Sequence, residues 1–454
     1  MASLSWTKQQ DFCLRLGFLK VLVAVLSPER RSENRDGLLR RLQSPLADVA
    51  AGHAELWRSV VGRMPWLEKE REDKEPRRPL VFEALLVAGD CPSFLYALTR
   101  PTLYKVLDWG LEFGFMGHGN QITERGLVLR SLLPADRVEA FFAGDPLAWN
   151  PFVLTNEERL FFLFHALETD RVLLKVVGAL AERATVPRLP ANEVAALVCR
   201  AMFELVEEQQ DDIPPPELPR LRKVRELACT IAEELGLDDF VQRCSDVLAR
   251  RVPKPKKPGG RGPPRKTTKN ADHQTIPRCE QLVDLGFLRK PGGDDDHADP
   301  TEARRRWIYA PTIACGLWRA RLEALRVELA EGPRLLYRHF ADAAATAFGF
   351  GNATTTAERA LHEFWTSYGV VRRPFGHTPF ESVALHAMLR LAAAGIVVEV
   401  EDFHRQLLAI KKNGVLSDVA FFAAGNDILG MFVLLKKGFA EAASRALAKG
   451  ALHV

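Results

Sequence analysis

Cysteine is scarce in this chain of 454 residues, and no two cysteines are spaced Cys-x-x-Cys. Positions Cys13, Cys91, Cys199, Cys229, Cys244, Cys279 and Cys315 are too scattered for a zinc ribbon or a dithiol redox motif. Their odd number and wide spacing predict reduced, mostly buried thiols in a cytoplasmic protein. Long hydrophobic runs are also missing. The longest, Leu16–Leu26, is interrupted by Lys20 and is too short to span a bilayer, so no membrane partner is expected. The first residues lack a charged n-region and a small-residue cleavage site, so no signal peptide is expected.

Catalytic signatures are incomplete wherever they begin. Gly349-Phe350-Gly351-Asn352 precedes three threonines but lacks the lysine of a phosphate-binding loop. His362-Glu363 opens like a zinc-protease motif, yet Thr366 stands where a second histidine is needed. His377, His386 and His404 are irregularly spaced, and Glu399, Glu401 and Asp402 have no matching lysine nearby. There is no G-x-S-x-G. The sequence therefore predicts no catalytic residues, no metal and no cofactor. A divergent metal-dependent nuclease is the remote third reading.

What is present is the composition of a globular protein, 47% hydrophobic and 26% charged, in a chain long enough for two to four domains. The net charge of +4 conceals a strong asymmetry. Residues 250–269, RRVPKPKKPGGRGPPRKTTK, hold nine Lys or Arg and no acid, and removing nine from +4 leaves the rest of the chain at −5. Positive potential is thus concentrated in one stretch, as at a contact site. Its proline and glycine content predicts a flexible arm.

The pattern divides the chain into an N-terminal helical segment (1–78), a compact module (79–150), a helical domain (151–250), the basic linker (251–272), a second module (273–330) and a C-terminal helical domain (331–454). A helix over 7–26 should stop at Ser27-Pro28. Thr155-Asn156-Glu157-Glu158 and Thr355-Thr356-Ala357-Glu358 read as capping boxes. Phe421, Phe422, Met431, Phe432 and Leu434 are assigned to the final helices.

Residues 99–133 carry the clearest local signature. Thr99 and Pro101 open a helix whose buried stripe is Leu103, Val106, Leu107, Gly110 and Leu111. Gly114 ends it. Short strands at 113–116 and 121–123 flank His118-Gly119-Asn120, a turn suited to positive φ, and Thr123 caps the next helix. Trp109, Phe113, Phe161, Phe162 and Phe164 are expected in the core. A weaker copy follows at 273–329: a helix over 275–285, strands at 287–290 and 307–310, and a polar insertion containing Asp294-Asp295-Asp296. The phrase LVDLGFLRK echoes LEFGFMGH.

This order of helix, strand, glycine turn, strand and helix resembles the core of a winged-helix module, a helix-turn-helix variant. The resemblance covers less than a third of the chain. It implies a mainly α, multi-domain protein with one or two winged-helix modules carrying small two-stranded β wings. It also implies nucleic-acid binding as a class property, through a recognition helix and a wing.

The first module presents Thr102, Lys105, Asp108 and Glu112 outside its stripe, and two acids there would repel phosphates. Its alternative use is packing or protein contact. The second module is more favourable: Gln274 and Arg278 on the helix, with His273 and Gln281 beside them, and Arg289, Lys290, Arg304, Arg305 and Arg306 on the wing. Lys254, Lys256, Lys257, Arg261, Arg265 and Lys266 lie in the preceding arm, where Gly260-Arg261-Gly262-Pro263 is a partial AT-hook. Trp307 among three arginines is placed to stack on a nucleotide. The leading reading is a non-enzymatic DNA-binding protein or adaptor, with DNA favoured over RNA. The alternative is a protein-interaction subunit whose partners, in a phage-defence or genome-maintenance complex, supply the enzymatic activity.

Overall fold

A computed structural model describes residues 6, 16–29, 31–32, 34–42, 100–145, 148–151, 153–183, 185–186, 188–209, 214–244, 269–289, 308–315, 356–373, 377–398, 405, 416–423 and 431–449. The protein is mainly helical, with two small three-stranded antiparallel sheets. It forms two compact units. One comprises residues 16–165 and 316–454, the other 1–15 and 166–315.

In the first unit, α1 (Gly17–Val25) is buried along its length, Lys20 included. Helix α2 (Arg100–Glu112) buries Val106, Leu107 and Trp109, but Leu111 is 40% exposed, so the stripe is rotated toward the tryptophan. The largest ring takes the core position because it removes the most apolar area from water. The hairpin after it forms as expected, although its pairing reduces to one bridge, Met116 to Ile122. Gly114, Gly119 and Asn120 have positive φ, and the side chain of Thr123 accepts from Gly126 N–H to cap α3 (Glu124–Leu132). Gly126 is required for packing: a Cβ there would lie 2.3 Å from the carbonyl oxygen of Phe115. Short helix α4 (Ala135–Phe142) and then α5 (Asn156–Thr169) follow, the unit boundary falling within α5. Both bonds of the capping box at Thr155 and Glu158 are made. Phe115, Phe161 and Phe162 pack as tilted and edge-on rings.

Arg130 of α3 closes the C-terminal end of α1. Its Nη1 donates to the carbonyls of Val23 (3.0 Å), Ala24 (2.8 Å) and Leu26 (2.6 Å). These are acceptors that a helix end leaves unmatched, and a cation there also suits the dipole. Arg130→Ala is expected to cost about 2–3 kcal/mol, because carbonyls lose a charged donor in a half-buried site. Faster amide exchange confined to residues 17–26 and the helices packed on them would register the loss.

The second unit contains α6 (Arg171–Ala181), β1 (Leu189–Pro190), α7 (Ala191–Gln209), α8 (Leu218–Leu235), α9 (Asp238–Arg243), α10 (Lys269–Asp284), β2 (Leu288–Arg289) and β3 (Ile308–Pro311). Strands β2 and β3 fall within a residue of where the sequence places two strands, and β1 adds a third, giving the order β1-β3-β2. The cysteines depart from expectation. Cys229 of α8 and Cys244, just after α9, form a disulfide. Cys199, Cys279 and Cys315 are buried and outside any disulfide. Cys13 and Cys91 lie outside the described residues.

The C-terminal part of the first unit comprises α11 (Ala357–Val371), β4 (Thr378–Pro379), α12 (Phe380–Ala393), β5 (Ala420–Ala423), β6 (Phe432–Leu435) and α13 (Phe439–Ala448). The cap of α11 is Thr356, one residue later than the capping box predicts. Phe421, Phe422, Phe432 and Leu434 are in strands, not helices. Each run is four residues long, aromatic or β-branched, and β6 alternates between half-buried and buried positions, the period of a strand. The sheet order is β4-β6-β5.

Candidate nucleic-acid interface

Helix α10 begins under a cap supplied from α8. The carboxylate of Glu234 accepts from Asn270 N–H (3.4 Å), Asn270 Nδ2 (2.7 Å) and Ala271 N–H (2.9 Å). Negative charge at a helix N-terminus satisfies orphan donors and the dipole together. Ile276, Cys279 and Leu282 then bury against α7 and α8.

Two residues expected to reach a nucleic acid do not. Arg278 is fully buried. Its Nε and Nη2 each lie 2.9 Å from Oδ2 of Asp170, and its Nη1 donates to the backbone carbonyl (2.8 Å) and Oε1 (3.1 Å) of Gln274. Gln274 is 4% exposed. Burial lowers the pKa of Arg278, and the Asp170 carboxylate opposes that shift. Both side chains are committed to the interior, Arg278 by its pairing with Asp170 and Gln274 by accepting from Arg278. Gln281 is buried and His273 half-buried. Nearby, the Tyr309 hydroxyl donates to Oε1 of Glu280 (2.9 Å), and burial raises its pKa well above the ordinary value.

The sheet beside α10 leaves one candidate arginine, Arg289, exposed, and a second exposed arginine, Arg188, adjoins it. Leu189 pairs with Tyr309, Leu288 with Pro311 and Arg289 with Ala310. Leu189, Tyr309, Leu288 and Pro311 share one buried face, and Ala310 on the opposite face is buried as well. Continuing the β1 register by one residue puts Arg188 beside Ala310, in the same cross-strand row as Arg289. Both arginines are exposed, and two strand spacings put their Cα atoms about 10 Å apart on one face. Among the described residues neither makes an ion pair. Sequence reasoning missed Arg188 because VPRLP reads as a loop between helices; a two-residue strand has no periodicity to detect.

Lys105 is half-buried on α2. The face around it is engaged within the protein: Arg35 donates to the carbonyl of Tyr104 (3.3 Å) and pairs with Asp108, and the Tyr104 hydroxyl donates to Asp36 (2.7 Å). Lys254, Lys256, Lys257, Arg261, Arg265, Lys266, Lys290, Arg304, Arg305, Arg306 and Trp307 lie outside the described residues. The ends of the basic stretch are nevertheless fixed. Cys244 is bonded to Cys229, while Asn270 and Ala271 are held by Glu234, and both anchors belong to α8. Those anchors are about 7.5 Å apart along the helix axis.

Elsewhere, Ser131 Oγ and His386 Nε2 lie 2.6 Å apart. Ser131 donates its own proton to the carbonyl of Val128 (2.7 Å), so His386 is the donor of the shared bond. Burial, assisted by the charge of Arg390, pushes the His386 pKa down to about 3. In this arrangement the imidazole cannot activate the hydroxyl as a nucleophile. No group of three or more histidine, cysteine or acidic residues among the described residues could hold a metal, and no described helix is long and apolar enough to cross a membrane.

No known protein family, curated protein or solved structure matches this chain.

Proposed function

We propose that this is a non-enzymatic DNA-binding protein, or the DNA-binding adaptor of a larger assembly, which grips the sugar–phosphate backbone without reading bases through a helix. The carrying observation is that Arg289 of β2 and Arg188, the residue before β1, are both exposed, and the register of β1 and β2 on β3, continued by one residue, aligns them in one row. Lys290 and Arg304–Arg306 belong to the sequence joining β2 to β3, and the tethered stretch 245–268 leads into α10. In chain order, α6, β1, α7, α10, β2 and β3 supply a helix, a strand, two further helices and two paired strands, the last of which also pairs with β1, with α8 and α9 intervening between α7 and α10. That succession supports a winged-helix reading of this unit. The burial of α10 directs the proposal toward phosphate contact, which positions a protein but carries no sequence information.

A salt titration against a labelled duplex tests this. Arg188→Ala/Arg289→Ala is expected to weaken binding several-fold and flatten the log–log salt slope by roughly 2, each lost phosphate contact contributing about 0.9. Replacing Lys254, Lys256, Lys257 and Arg261 with alanine should flatten it further. Unchanged affinity and slope in both variants would refute the proposal. The second reading, a protein-interaction subunit, is favoured by the commitment of α2 and α10 to internal packing. It predicts negligible duplex binding at low salt.

A further inference from the structure

The second sheet displays a different chemistry. Thr378 pairs with Val433 and Pro379 with Phe432; Phe421 pairs with Leu434, Ala420 with Leu435 and Ala423 with Phe432. Val433, Leu435, Ala420 and Thr378 are buried and define the inner face. The outer face therefore carries Phe432 and Leu434 of β6, Phe421 of β5, and Pro379 with His377 at β4. Phe421 is 52% exposed, uncommon for so large an apolar ring. The His377 ring lies 5.3 Å from it, tilted by 36°.

Cations bracket this row. Lys436 is exposed, and its N–H donates to the carbonyl of Val419, which extends the β5–β6 ladder past Leu435. The alternation of β6 then puts Lys436 on the outer face, about 7 Å along the strand from Leu434. At the other end the Arg373 guanidinium lies 5.9 Å from the Phe432 ring centre while its Nε donates to Glu124 (2.5 Å). Exposed Arg372 adjoins it in sequence. Asp418, the acid closest to β5 in sequence, is exposed in the turn beyond Val419.

We infer that the outer face of β4-β6-β5 binds single-stranded nucleic acid, with one base stacked on Phe421 against His377 and the adjoining phosphate met by Lys436. An aromatic ring beside a cation at strand spacing fits an unpaired base and its backbone, because every base offers a π face while the phosphates supply the charge. A purely apolar partner would leave Lys436 without use, whereas Arg373 is already paired with Glu124. This site is independent of the duplex-binding arginines: it lies in the other unit and depends on stacking.

Full-length protein would be titrated with fluorescein-labelled dT12, U12 and an abasic 12-mer with the same phosphates, following anisotropy. The wild type is expected to prefer dT12 to the abasic strand by about tenfold, the scale of one stacked base. Phe421→Ala should remove that preference, Phe421→Tyr should keep it, and Lys436→Ala should weaken all strands together. The U12 arm shows whether RNA is held as well as DNA. Because Phe421 is exposed, its replacement should leave the thermal transition unchanged. Equal binding of dT12 and the abasic strand by the wild type, or a preference that survives Phe421→Ala, overturns the inference. Duplex binding should be unaffected by Phe421→Ala and weakened by Arg188→Ala/Arg289→Ala, so the two proposals fail separately.

Discussion

Asp170→Ala is expected to destabilise the unit formed by residues 1–15 and 166–315 by about 3–5 kcal/mol, the scale of breaking a buried ion pair by removing one partner. The reason is what remains. Arg278 is completely enclosed, and its guanidinium would lose its carboxylate partner while keeping the two Gln274 acceptors, neither of which carries a charge. An arginine does not escape by losing its proton at ordinary pH. Asp170→Asn should lie between wild type and alanine, since an amide oxygen can still accept from Nε. Joint replacement of Asp170 and Arg278 by apolar residues of similar volume should recover much of the loss, because no lone charge is left behind. Native-state hydrogen exchange over α6, α7 and α10 isolates this unit, where a whole-protein melt could merge several transitions. Unchanged protection in Asp170→Ala would show that Arg278 is not held in the interior as described.

The second large effect concerns Lys20 and Glu158, in the other unit. Their side chains are 1% and 0% exposed and 2.8 Å apart. Lys20 Nζ also donates to the carbonyl of Val153 (3.0 Å) and lies 5.5 Å from the Trp149 ring centre. Glu158 has a second task, accepting from Thr155 N–H (2.8 Å) as the last member of the capping box. Glu158→Ala therefore removes a counter-charge and a cap together, with an expected cost of about 4 kcal/mol or more. Glu158→Gln retains an acceptor for the cap and isolates the charge. Lys20→Met in that background should regain stability, since methionine fills similar space without an ammonium. The ordering Ala below Gln below the double variant, read from urea midpoints, is the check. A Glu158→Gln protein as stable as wild type would mean that Lys20 does not depend on its partner.

These pairs mark where local sequence stops being informative. Gly114, Gly119, Asn120, Thr123 and the box at Thr155 are legible because each depends on backbone geometry within a few residues. The strands around residues 288 and 309 are legible because glycine and an apolar run delimit them. Arg278 is not, since its exposure depends on a carboxylate 108 positions away. On the helix surface it resembles any phosphate-seeking arginine, and only the folded unit brings Asp170 to it. Leu111 fails for a related reason: the buried face of the helix is centred nearer Trp109 than the apolar stripe suggests, which leaves Leu111 at its exposed edge. Strands β5 and β6 were hidden by their brevity, four residues each in a region otherwise helical. Of the duplex-binding candidates, Arg289 was visible as a cation beside a recognisable strand. Arg188 becomes one only through the pairing of β1 with β3.

The double anchoring of the basic stretch on α8 sets a geometric limit. With Cys244 bonded to Cys229 and Asn270 bonded to Glu234, the intervening chain must leave and return to nearly the same point. At about 3.4 Å per residue, no lysine or arginine in 245–268 can stand more than roughly 40 Å from that helix. Under the proposed function, a polyanion arriving there would meet cations confined by ring closure, and each contact would raise the effective concentration of the next. Under the proposed DNA-binding function, the crosslink between Cys229 and Cys244 would set avidity as well as stability, because opening it removes one of the two anchors.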